Sequence, residues 1–128
     1  GHGVRLLPEV ARDPLSALFA LRAAPLADGQ VVKELVLDGL ALWRVRLTVH
    51  RGQTVRLGSG VGAVSRAAIR VDGELTPVNL AGRPTGRPLR HLSLWLADDQ
   101  THVLLRLEAD TDFGRCALEQ TSYLPPSK

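Results

Sequence analysis

From about Val31 to Tyr123 the sequence reads as runs whose side chains point alternately inward and outward, and no longer-period pattern of comparable extent competes with this one. A repeat of two is the signature of a strand with one covered and one wet face, because successive side chains of an extended chain point to opposite sides. The clearest run is Ala41, Trp43, Val45, Leu47 and Val49 on one face, with Arg44, Arg46, Thr48 and His50 on the other. It follows Val31–Asp38, where Val31, Lys33, Leu35 and Leu37 alternate with Val32, Glu34, Val36 and Asp38. Asp38-Gly39 between the two runs is a strong signal for a two-residue hairpin turn. Further along, Leu92, Leu94 and Leu96 alternate with Ser93, Trp95 and Ala97, and Val103, Leu105 and Leu107 alternate with Leu104, Arg106 and Glu108.

Between these runs lie breakers. Gly58, Gly60 and Gly62 predict a sharp bend, Asp72-Gly73 a turn, and TPVNLAGRPTGRPLR, with its three prolines, a loop or irregular edge segment. Asp110-Thr111-Asp112 predicts a last turn before FGRCALEQTSY. One stretch keeps a helical period. In RDPLSALFALRAAP, Asp13 is placed to cap the first turn, Pro14 sits where its missing N–H is harmless, and Pro25 stops the run. Leu15, Leu18, Phe19 and Arg22 would share its covering face. The expectation is a mainly β fold: an antiparallel curved sheet or half-barrel of about six strands with one short N-terminal helix. At 128 residues this is one domain, with residues 9–124 as a single β-rich unit, 1–8 as a tag remnant or disordered start, and 125–128 as a tail.

Composition excludes more than it identifies. With 45% hydrophobic and 23% charged residues the chain is neither disordered nor rich enough in apolar runs for a membrane-spanning helix. A single cysteine, Cys116, forbids an internal disulfide and reads as a small buried apolar residue. His2, His50, His91 and His102 lack metal-ligand spacing, so no metal and no cofactor is expected. Ser59 in GSG lacks the G-x-S-x-G frame and following helix of a nucleophile elbow, and the glycines lack the spacing of a dinucleotide loop. Asp98 and Asp99 are adjacent in ADDQTH, where side chains diverge and water is at hand; they read as turn formers rather than as an acid–base pair.

Charge is unevenly placed. No acidic residue lies between Asp38 and Asp72, yet Arg44, Arg46, Arg51, Arg56, Arg66 and Arg70 do; from Asp98 to Glu119 the bias is acidic. Arg44 and Arg46 share one strand face and Arg66 and Arg70 share a parity on the next, so pairing of the two strands would gather four guanidinium groups as a ligand-binding face for phosphate or carboxylate. The bland alternative is that Glu108 and Asp110 lie across the sheet and neutralise them. Nucleic acid is not expected, because Trp43 and Trp95 belong to packing rather than to a stacking platform among basic residues.

Three stretches, RDPLSALFALRAAPLADGQ, RGQTVRLGSGVGA and LSLWLADDQTHVLLRLEADTDFGRCALEQTSY, together resemble the later part of a bacterial exported family known as domain of unknown function number 3108. The resemblance runs from about Glu9 to Leu124 and is most specific around Trp95, Asp99, Arg106 and Gly114. It departs from the family pattern at Gly58 and Leu104, where proline is usual, and lacks the family's earlier strands, which marks a distant or truncated member. The resemblance implies an exported, periplasmic or cell-envelope protein whose curved sheet can hold an apolar ligand. The function expected is non-enzymatic binding of an envelope component such as a lipid, an anionic glycan or a partner protein. Two alternatives stand beside it: a structural module completing a larger β assembly, with a homodimer formed through an open sheet edge, and a hydrolase or metal-assisted enzyme using Asp98, Asp99 and His102.

Overall fold

The computed structural model describes residues 12–38, 41–112 and 114–120, and it is mainly β. One helix, α1 (Pro14–Ala23), precedes six strands: β1 (Val31–Asp38), β2 (Ala41–Leu57), β3 (Val64–Val78), β4 (Arg90–Ala97), β5 (Leu104–Thr111) and β6 (Gly114–Glu119). They form one antiparallel sheet in sequence order, β1-β2-β3-β4-β5-β6, left unclosed between β1 and β6. The turn at Asp38-Gly39 falls partly outside the described residues, but Asp38 and Ala41 face each other across the β1–β2 ladder, as a two-residue connection requires.

The helix starts and stops where the residues dictate. The Asp13 carboxylate accepts from the Ser16 backbone N–H at 2.8 Å and Pro14 opens the first turn. That bond holds the Asp13 carboxyl below its ordinary value of 3.8. The buried stripe is rotated from the one the apolar spacing suggests. Ala17, Leu18 and Leu21 lie against the sheet, whereas Leu15 and Phe19 are 61% and 55% exposed. The helix carries apolar residues on more than one stripe, and tethers at its two ends choose between them. Arg12, just before it, bonds Leu35 and Leu37 on the outer edge of β1; Arg22, in its last turn, donates to Thr101 O at 3.2 Å, and His102 Nδ1 lies 2.8 Å from Arg22 O. The helix therefore crosses the sheet obliquely, from the β1 edge to the β4–β5 turn.

Its side of the sheet carries the main core, in which Val49, Ile69, Val71 and Leu96 are fully buried beside Leu26. A β-bulge between His50 and Gln53, with Gly52 at φ 70°, shifts the register by one residue. The shift sends Val55 and Leu57 to the opposite face, where they meet Ala68, Ala97 and Leu105 in a second cluster. A second irregularity, at Trp95/Leu96, splits the apolar set read in the sequence: Leu107 stays on the helix side while Leu105 joins the far cluster.

Two expectations are corrected. Asp72-Gly73 is not a turn but the middle of β3, paired with Thr48 and Leu47 on one side and with Ser93 and Leu92 on the other. Gly73 answers to close neighbours rather than to chain reversal, since a Cβ there would stand 2.9 Å from Leu47 Cδ2 and 3.1 Å from Leu92 Cδ1, side-chain ends that would have to shift. Cys116 is exposed rather than buried, since β6 is exposed from Gly114 to Leu118.

Candidate functional site: a cleft between the helix and the sheet

Because α1 runs obliquely, it leaves one corner of its side of the sheet uncovered. The result is a cleft of ≈ 620 Å³, floored by Val45, Leu47, Leu75, Leu92, Leu94 and Leu107 and walled by Leu18 and Leu21 of the helix. That volume lies within the range of small-molecule sites, and the lining is overwhelmingly apolar. Leu47 and Leu92 flank Gly73 and both line the cleft.

The polar lining residues are four, Arg90, Asp38, Asp110 and Thr111, of which Asp110 turns its carboxylate to the His91 N–H and Arg115. The Arg90 guanidinium lies over the Trp43 ring, 5.4 Å from its centroid, and pairs with Asp112, whose side chain is 72% exposed. A cation resting on an aromatic face beside an apolar cavity can receive an anionic group in exchange for that outlying carboxylate. Trp43 thus does pack, as its parity indicated, but at the rim and with a charge on it.

The four arginines read as a binding face occupy the other side of the sheet. Arg44 faces Thr76, Arg46 faces Glu74, Arg70 lies between His50 and Trp95, and Arg66 faces Val55 beyond the bulge. They share a face but are strung along two long strands, with Asp72 and Glu74 of β3 interleaved between them. Arg70 Nε is 3.2 Å from Asp72, His50 Nε2 is 3.1 Å from the same carboxylate, and Ser93 Oγ donates to it at 2.8 Å. Arg44 donates to Gly82 O at 2.9 Å. A trough of ≈ 510 Å³ on this face is lined by Arg46 and His91 together with Asp72 and Glu74, a mixed rather than cationic surface. Neutralisation comes from Asp72 and Glu74; Glu108 and Asp110 are engaged elsewhere. Arg115 and the His91 backbone N–H hold the Asp110 carboxyl below 3.8, and hydrogen bonding to Glu108 raises the Arg106 guanidinium above its ordinary value.

Asp98, Asp99 and His102 each have a structural partner. Asp98 accepts from Arg51 at 2.9 Å, Asp99 accepts from the Thr101 backbone N–H and hydroxyl at 2.8 and 2.6 Å, and His102 meets the end of α1. The Asp99 bonds are local to the hairpin turn, while those of Asp98 and His102 tie that turn to β2 and to the end of α1. Among the described residues no cluster of three or more His, Cys, Asp or Glu side chains is placed to hold a metal ion. Among them, too, no helix is long and apolar enough to cross a membrane.

Sequence reasoning missed two arginines that matter. Arg51 donates to Leu26 O at 2.8 Å as well as to Asp98, tying the helix exit and the β4–β5 turn to the bulge in β2. Arg90 was hidden in a proline-rich stretch read as loop, although RHLSLWLA continues the alternation of β4 back to it. Compared with known protein families, curated proteins and solved structures, the chain gives no match.

Proposed function

We propose that the chain is a non-enzymatic binding module whose ligand is a fatty-acid-like amphiphile, seated with its apolar body in the cleft under α1 and its anionic head at Arg90. One observation carries the reading: a sizeable cleft of mostly apolar lining has one cation among its described lining residues, Arg90, which lies over Trp43 and pairs with the exposed carboxylate of Asp112. A catalytic pocket would gather several convergent polar groups, and the lining of this one is mostly apolar. Placement at the bacterial cell envelope, where such amphiphiles abound, rests on the sequence resemblance to the exported family.

Displacement of a fluorescent fatty acid, cis-parinaric acid, tests it. The wild type is expected to bind saturably. Leu75→Trp, which fills the open corner of the cleft, should weaken binding by about tenfold or more, the scale of a blocked apolar contact. Arg90→Glu should weaken fatty acid but not the corresponding fatty alcohol. Arg44→Glu with Arg46→Glu, on the far face, should change neither. Absence of saturable binding, or loss through the far-face pair alone, would overturn the proposal.

A further inference from the structure

The two free edges of the sheet are treated differently. On β1, Arg12 occupies the outer edge through bonds to Leu35 O and from the Leu37 N–H. On β6 no described strand or loop pairs with the outer edge, and Gly114, Arg115, Cys116, Ala117 and Leu118 are all exposed. Neither proline nor a bulge interrupts Gly114–Glu119, and its charged residues, Arg115 and Glu119, are of opposite sign.

The residues on this edge are complementary to themselves. In an antiparallel pairing of two copies of β6 with the two-fold axis at Ala117, Arg115 stands opposite the second copy's Glu119, and Cys116 stands opposite its Leu118. Backbone polarity agrees with this register. The Gln120 N–H bonds inward to Leu105 O, so by alternation the N–H and C=O groups of Arg115, Ala117 and Glu119 point outward, as the hydrogen-bonded pairs of that arrangement require. The charges also extend ladders already present in each chain. Asp110 faces Arg115 and Arg106 faces Glu119 within one copy, so across the junction the order becomes Asp110, Arg115, then Glu119 and Arg106 of the second copy, alternating in sign throughout. On the helix side, Leu107 and Leu118 would continue into the second copy's Cys116 and Ala109, an unbroken apolar row. Leu118 alone is 68% exposed in the single copy.

We propose that β6 is a self-pairing edge through which two copies join their six-stranded sheets into one continuous antiparallel sheet, in the register centred on Ala117. This does not depend on what the cleft binds. An isologous contact of this kind is closed by its own symmetry and does not propagate into fibres.

Sedimentation of the wild type should show a reversible dimer at or below about 100 μM, a typical weak-contact range. Arg115→Glu and Glu119→Arg should each weaken it by about tenfold, because each sets two like-charge pairs opposite one another. Each also disturbs its own chain, so the decisive sample is the mixture: a heterodimer of the two variants restores both opposite-charge pairs and should form when neither variant dimerises alone. Leu118→Cys gives a second readout. The introduced thiol would face the native Cys116 of the other copy across a non-hydrogen-bonded pair, where Cα atoms stand about 4.5 Å apart, within disulfide reach. Mild oxidation should yield a covalent dimer far faster than for Leu80→Cys in the 79–89 loop. A wild type that stays monomeric, a mixture that does not associate, or equal crosslinking of the two thiol variants would each overturn the proposal.

Discussion

Replacing Gly73 by alanine separates a cleft with room in it from a core packed solid. The added methyl would stand 2.9 Å from Leu47 Cδ2 and 3.1 Å from Leu92 Cγ, so both leucines must move. In a close-packed interior such overpacking costs about 1–3 kcal/mol. Here both leucines line the ≈ 620 Å³ cleft and can swing into it, so the steric cost should stay under about 1 kcal/mol. Against it stands a gain of about 0.5–1 kcal/mol from removing a glycine inside a strand. Gly73→Ala should therefore lie within about 0.5 kcal/mol of the wild type, a Tm change of roughly 3 °C or less for a chain of this size. Ala68→Val is the comparator: Ala68 is fully buried among Val55, Leu57, Ala97 and Leu105, and the larger side chain should cost about 1–3 kcal/mol. Urea unfolding followed by tryptophan fluorescence measures both. A loss beyond about 2 kcal/mol in Gly73→Ala would mean that the leucines have nowhere to go and that the cleft reasoning fails.

Two other outcomes follow from the charged groups. Arg51→Ala should cost about 1–3 kcal/mol in urea unfolding, because two carbonyl or carboxylate acceptors lose a charged donor; a near-zero cost would show that the helix exit and the β4–β5 turn are held by packing alone. Asp110 has its pKa lowered first by Arg115 and then by the His91 N–H, so its contribution to stability is present above its unfolded value near 3.8 and is lost as pH falls through the lower folded value. Asp110→Asn should accordingly be less stable than the wild type at neutral pH and converge with it in acid; a gap that persists unchanged at low pH would contradict the assignment.

The alternation made the sheet legible because in β2 and β3 side chains of one parity pack under α1 while most of those of the other parity between Arg44 and Glu74 are polar. The helix was legible because Asp13, Pro14 and Pro25 act locally. What the alternation could not reveal is where it slips. The bulge at His50/Gln53 and the irregularity at Trp95/Leu96 each reverse which side chains are covered, and that is how Val55, Leu57 and Leu105 come to form a second core on the far side. Gly73 misled for a related reason: an Asp-Gly pair is a turn signal in sequence, whereas here the glycine answers to two leucines on neighbouring strands. Reading it as a turn also broke the i, i+2, i+4 series Arg70, Asp72, Glu74, which places carboxylates among the arginines of that face. The cleft itself has no local sequence signature. It arises because Arg12 and Arg22 anchor the ends of α1 at opposite corners, an arrangement set by contacts between residues far apart in the chain.

Methyl NMR of the protein titrated with a long-chain fatty acid addresses the central claim most directly, since valines and leucines populate both sides of the sheet. Saturable shifts are expected at Val36, Val45, Leu47, Leu92 and Leu94 under the helix, and none at Val55, Leu57 and Leu105 on the far side. Shifts centred on the far side, or no saturable shift at any of these methyls, would contradict it.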